Sequence, residues 1–208
     1  MKLQVAFDDL SLEKLDSILE TSIQDIDIVE YGTLSVIRYG LGHLKEIRNR
    51  YPNAYLLVDP KIMDAPEKIA RNCYEAGADI CTVMSLAGIK TCLKVLEIAK
   101  EYKKEVMVDL LNDKDIVNTA KKLDELGFDY LCIHSSTSDK EMPLKDFLEI
   151  KKVVKNAKLS IAGGINLNNI DEITKTEPYN IIVGSCVYNS ENPKETVNKF
   201  KEHLKWNI

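Results

Sequence analysis

Short apolar runs recur along the chain, and each is followed by a longer amphipathic stretch. The runs are Leu3–Phe7, Ile26–Glu30, Tyr55–Asp59, Asp79–Met84, Val106–Leu110, Tyr130–His134, Leu159–Ala162 and Asn180–Val183. They are rich in valine, isoleucine and leucine, a composition that suits parallel strands covered on both faces. Their ends recur roughly every 20 to 30 residues, about the length of one strand–helix unit.

The intervals carry helix punctuation. Ser11 is placed to cap Leu12–Glu20, with Glu13 in the first turn where a negative charge suits the helix dipole. Pro66 opens Glu67–Glu75, and Gly77 follows its end. Asp115 begins Ile116–Leu126, Pro143 precedes Leu144–Lys155, and the Asn192–Pro193 pair starts a last helix carrying Val197, Phe200 and Leu204. Eight strands alternating with helices predict an α/β protein, a single (β/α)8 TIM barrel spanning residues 1–208. The rival arrangement is a doubly wound open sheet; eight evenly spaced units favour closure.

Composition narrows the picture. At 208 residues the chain is long enough for one well-filled core and too short for two ordinary domains, so a barrel must have short loops. A net charge of -5 argues against nucleic acid as the main partner, since a phosphate backbone selects basic surfaces. It leaves room for a small phosphorylated substrate, which needs only local donors. No run approaches the roughly 18 apolar residues of a membrane span, and the N-terminal apolar stretch is too short for a signal-peptide core. Cys73, Cys81, Cys92, Cys132 and Cys186 are odd in number and scattered, which predicts reduced thiols in a cytoplasmic protein. Cys81 and Cys132, inside strand-like runs, read as small core residues.

Barrel enzymes place their chemistry where strands finish. The predicted ends carry Asp8, Glu30, Asp59 with Lys61, Asp109, and His134; Asp64 follows Lys61 as the chain leaves its strand. Charges inside apolar runs are costly without partners. Asp59 and Lys61 are two apart and so share a side of their strand. Several carboxylates around one point repel one another; Lys61 offsets part of this and a divalent cation would offset more. Oxygen ligands such as Glu30 and Asp59, on neighbouring strands, suit magnesium better than zinc. The plainer alternative is that the acids pair with Lys61 and cap helices.

His134 suits proton transfer near neutrality or serves as a satisfied core residue. His43 and His203 lie in helical stretches and read as surface residues. Asp109 orients a substrate hydroxyl, supports another acid, or caps a helix. After the seventh and eighth runs, Ala162-Gly163-Gly164-Ile165 and Val183-Gly184-Ser185 let backbone N–H groups approach a phosphate closely. Neither a P-loop nor GxGxxG is present, so no nucleotide cofactor is indicated.

With these residues in place, Asp59-Pro60-Lys61-Ile62-Met63-Asp64 matches the DxKxxD motif of the orotidine monophosphate decarboxylase superfamily. Leu3-Gln4-Val5-Ala6-Phe7-Asp8, Asp27-Ile28-Val29-Glu30-Tyr31-Gly32-Thr33, Glu105-Val106-Met107-Val108-Asp109-Leu110 and Ala162-Gly163-Gly164-Ile165-Asn166 resemble the 3-hexulose-6-phosphate synthases within it. The resemblance implies a homodimer that condenses ribulose 5-phosphate with formaldehyde, reversibly, through a 1,2-enediolate. It implies Mg2+ held by Glu30 and Asp59, a proton moved by His134, and Asp64 reaching into the partner's site. It also implies a supporting role for Asp8, Lys61 and Asp109.

The related 3-keto-L-gulonate-6-phosphate decarboxylases usually have glutamate at Asp109, tend to have threonine at the substrate-facing Ala162, and carry a phosphate-holding arginine at Ser185. They also have an arginine after the histidine, where this chain reads Ser135-Ser136-Thr137-Ser138. Decarboxylation is therefore the alternative activity, and a non-catalytic sugar-phosphate-binding barrel the alternative of another class. Two departures stand out. Ser138-Asp139-Lys140-Glu141-Met142-Pro143 replaces the glycine-containing segment usual after the histidine, and Pro60 sits inside the motif.

Overall fold

The computed structural model describes residues 1–135 and 143–205. The altered segment after His134 falls on 136–142, outside the described residues. Eight parallel strands close into one barrel in chain order, with β1 pairing both β2 and β8. The strands are β1 Lys2–Phe7, β2 Ile28–Tyr31, β3 Leu56–Ile62, β4 Ile80–Met84, β5 Glu105–Asp109, β6 Tyr130–His134, β7 Lys158–Ala162 and β8 Asn180–Val183. The expected closed barrel is what forms, and the open sheet is not.

Around it lie α1 Leu12–Ser22, α2 Thr33–Tyr39, α3 Gly42–Arg50, α4 Pro66–Glu75, α5 Ile89–Tyr102, α6 Ile116–Glu125, α7 Leu144–Val153, α8 Ile170–Thr174, α9 Ser185–Tyr188 and α10 Pro193–Lys205. Ser11 caps α1, accepting from the Lys14 N–H at 3.3 Å, and Asn192 accepts from the Glu195 N–H at 3.2 Å. Asp115 precedes α6 but accepts from the Asn118 side chain instead of a helix N–H. Among the described residues no helix is long and apolar enough to cross a membrane.

The strands read as continuous apolar runs because alternate residues fill two different cores. Leu3, Val5, Phe7, Val29, Leu56, Val58, Val106 and Val108 pack outward under the helices. Ala6, Ile28, Leu57, Ile80, Met107, Tyr130, Cys132, Ala162 and Ile182 pack inward along the barrel axis. Burying both faces removes the polar alternation of a half-wetted sheet. Cys81 and Cys132 are buried as expected.

Three sequence expectations change. Strand β3 runs on to Ile62 instead of ending at Asp59, because its pairing with β4 skips between Val58 and Ile62. This bulge holds Asp59, Pro60 and Lys61, so Pro60 falls where the regular ladder is broken. Lys61 there adopts φ 45, a left-handed backbone that non-glycine residues rarely take. Next, α2 and α3 both lie between β2 and β3, where one helix was the simplest expectation. Finally, His43 is buried and not on the surface: its ring lies 6.3 Å from that of Tyr31, with Asp16 at 3.2 Å and Glu46 at 3.1 Å. Helical spacing alone does not reveal which face of a helix a second helix covers.

Candidate active site

The C-terminal ends of the strands open into a cavity of about 670 Å³. Asp8, Glu30, Asp59, Lys61, Asp109, His134, Ala162, Gly163, Gly164, Gly184 and Ser185 all line it. Asp64 does not: it is exposed on the segment between β3 and α4, outside the cavity of its own chain.

Lys61 and Asp109 form the hub. The Lys61 ammonium lies 2.7 Å from Asp109 Oδ2 and 3.0 Å from Asp59 Oδ2. His134 Nδ1 lies 3.0 Å from the same Asp109 oxygen, and the Leu111 N–H donates to the other at 2.9 Å. Burial would raise the Asp109 pKa, but the His134 hydrogen bond and the Lys61 charge outweigh it and hold the carboxyl at about 2. Lys61 would be lowered by burial and is instead raised by Asp59 and Asp109, so it stays charged. An ionised Asp109 can only accept hydrogen bonds. Neutral His134 therefore carries its proton on Nδ1 and presents the Nε2 lone pair.

Asp59 is held on both oxygens. Thr82 on β4 donates to Oδ1 at 2.5 Å, and Thr33 at the start of α2 donates to Oδ2 at 2.8 Å. The Thr82 hydroxyl also accepts from the Lys61 backbone N–H at 3.2 Å, pinning the bulge. Glu30 is more deeply buried. Burial first, then the Asp59 and Asp8 charges, push its pKa well above the ordinary carboxyl range. Among the described residues, Gln4 is the one hydrogen-bond donor to it, at 2.6 Å. Asp8 is also raised, chiefly by burial, with the Leu34 N–H at 3.4 Å working in the opposite direction. Gly32 makes its position possible, since a Cβ there would stand 2.5 Å from Asp8 Cγ.

At the opposite rim, Gly163 has φ 104 and a Cβ on it would meet the Ser135 carbonyl at 2.6 Å. The turn is tied by Asn166 and Asn169, whose side-chain amides donate to the Gly164 carbonyl at 3.1 and 3.0 Å. Gly184 precedes the single turn of α9, which Ser185 begins. These segments carry the glycine-lined approach expected of them.

Gln4, Thr33, Thr82 and Gly32 escaped the sequence reading. Gln4 had a signal: it shares β1 parity with Ala6 and Asp8, so it had to face inward. Thr33 and Thr82 had none, since their role depends on which strands and helices meet over Asp59.

A model of the Orotidine 5'-phosphate decarboxylase / HUMPS family matches residues 1–200. A 3-hexulose-6-phosphate synthase of Bacillus subtilis (strain 168) is 38% identical over 205 residues, covering 97% of this chain and 98% of the relative. The crystal structure of 3-hexulose-6-phosphate synthase from Salmonella typhimurium superposes with a TM-score of 0.96 at 31% identity, covering 100% of both chains. KGPDC from Streptococcus mutans, solved in complex with a sugar phosphate, shares the fold with a TM-score of 0.90 at 23% identity, covering 99% of this chain and 97% of its own. Relatives of this identity and coverage support an enzyme, a lyase that makes and breaks carbon–carbon bonds. The chain belongs to the orotidine 5'-phosphate decarboxylase / HUMPS family.

Proposed function

We propose that this chain is a 3-hexulose-6-phosphate synthase, condensing formaldehyde with ribulose 5-phosphate. The observation that carries the reading is the linked set Asp59–Lys61–Asp109–His134 over one cavity, in a chain similar to synthases along its whole length. Ala162 and Ser185 on the rim, and Asp109 as the hub, agree with the synthase and not the decarboxylase pattern.

The residues fit a hard divalent cation. Asp8, Glu30, Asp59 and Asp109 crowd the cavity against one lysine, and Glu30 carries the effect of that excess in its raised pKa. Among the described residues no three His, Cys, Asp or Glu side chains form a ready cage, which suits magnesium held by one or two carboxylates and completed by substrate oxygens. Glu30 and Asp59 would hold it. When bound, it supplies positive charge beside the substrate's oxygens.

The chain's own groups then carry the steps. The Gly163–Gly164 and Gly184–Ser185 segments bind the phosphate, and that remote binding energy holds the reactive end in place. His134 Nε2 removes the C1 proton of ribulose 5-phosphate, while Asp109 keeps the imidazole in the required tautomer. The electron pair left on C1 attacks the formaldehyde carbon, and the former carbonyl oxygen takes up a proton. Lys61 holds positive charge beside the reacting oxygens, and Asp8 positions a hydroxyl.

The working form is a homodimer. Leu34, Ile37, Met63 and Leu86 expose 45, 75, 52 and 51% of their surface on successive segments after β2, β3 and β4. Asp64 sits among them, placed to reach a second copy's cavity. The test is consumption of ribulose 5-phosphate dependent on formaldehyde, with and without EDTA. Turnover that EDTA abolishes is expected. Carbon dioxide release from 3-keto-L-gulonate 6-phosphate would assign the decarboxylase instead, and sugar-phosphate binding without any turnover would refute catalysis.

A further inference from the structure

Three polar side chains stand in the barrel interior with no solvent contact at all: Gln4 on β1, Asn180 on β8 and Ser160 on β7. They form one hydrogen-bonded line. Ser160 Oγ donates to Asn180 Oδ1 at 2.5 Å, Asn180 Nδ2 donates to Gln4 Oε1 at 2.6 Å, and Gln4 Nε2 donates to Glu30 Oε2 at 2.6 Å. The line crosses four adjacent strands and the seam where β1 meets β8.

Its direction follows from the chemistry at its end. A carboxylate only accepts, so Gln4 must turn its amide nitrogen to Glu30 and its oxygen to Asn180. Asn180 must then offer nitrogen to Gln4, which leaves its oxygen for a hydroxyl donor, and Ser160 supplies one. Every group is satisfied in this one polarity. Reversing either amide would set an oxygen against another oxygen along the line. Apolar side chains would fill the same space without the desolvation cost of three polar groups.

We infer that Ser160, Asn180 and Gln4 act as positioning residues, a polarised relay that aims the Glu30 carboxylate into the cavity. Gln4 touches the cavity; Asn180 and Ser160 do not line it and act through Gln4. The inference rests on reading Glu30 as a ligand of the divalent cation. The relay removes one rotational freedom from a deeply buried acid, so that the cation meets a carboxylate already turned toward it.

The experiment titrates the metal-free chain with Mn2+ alone, followed by electron paramagnetic resonance, beside thermal melts. Wild type binds saturably. Gln4→Leu weakens binding roughly 10- to 100-fold, the range for loss of a group supporting a metal ligand. Asn180→Leu and Ser160→Ala weaken it in the same direction. Adding Asn180→Leu to Gln4→Leu changes the dissociation constant no further, because the relay is already cut. Lower melting temperatures with unchanged Mn2+ affinity would show a seam that only stabilises the barrel, and would overturn the inference. So would additive losses in the double variant. Absence of saturable Mn2+ binding to wild type would overturn the ligand reading itself, and the relay with it. Should the leucine variants fail to fold, Ser160→Ala, which deletes one hydroxyl, decides the question through its own dissociation constant.

Discussion

Replacing Asp109 with asparagine exposes an electrostatic contribution that can be followed with pH. Asp109 is 3% exposed, and His134 and Lys61 hold its carboxyl at about 2 against an ordinary 3.8 despite its burial. Between those values the unfolded chain binds more protons than the folded one, so stability rises with pH across the window. The contribution is fully present above the ordinary value and is lost as pH falls toward the lowered one. Each tenfold change in proton affinity is about 1.4 kcal/mol, so holding the carboxyl from 3.8 down to about 2 contributes roughly 2 kcal/mol. Asparagine keeps the shape and the acceptor for Lys61 and Leu111 but carries no charge. Urea unfolding of both proteins in EDTA, at pH values from about 6.5 down to about 2.5, measures the gap between them. Wild type should lead by about 2 kcal/mol more at the upper end than at the lower, with the change falling below about pH 4. A gap that does not move with pH would refute the assignment of Asp109 as the charged hub. The same variant should lose about 100-fold or more in kcat, because an amide no longer selects the histidine tautomer.

Glu30→Gln should leave the metal-free chain at least as stable as wild type at neutral pH. A raised carboxyl pKa means stability is present at low pH and lost as pH rises through the folded value, and the neutral isostere escapes that loss. Melting in EDTA checks this, and a lower melting temperature would count against it; formaldehyde-dependent turnover should vanish. Gly32→Ala places a Cβ 2.5 Å from Asp8 Cγ, so Asp8 must move. The substitution should cost about 1–3 kcal/mol and at least about tenfold in kcat/KM, read from unfolding and steady-state kinetics. Asp64→Ala and His134→Ala should each be inactive alone. If Asp64 serves the partner's site, dissociating and reassociating an equal mixture should restore about one quarter of wild-type activity. No recovery in dimers shown to have exchanged subunits would place Asp64 elsewhere.

Much of this molecule was written locally. The eight runs and their punctuation determined a closed α/β barrel, because a strand buried on both faces shows itself as an apolar run. The rim residues Asp8, Glu30, Asp59, Lys61, Asp109 and His134 were legible as charges where packing would not place them. What the tertiary structure alone decided was who faces whom. Gln4 and Asn180 are 176 positions apart and meet because β1 closes on β8. Thr82 and Thr33 grip Asp59 from two different elements, the bulge forces Lys61 to φ 45, and His43 is covered by neighbouring helices. Alternation along a strand assigns a side chain to a face. Which atom it touches there depends on the stagger between strands and the closing of the barrel, and that geometry is a property of the whole sheet and not of any one segment.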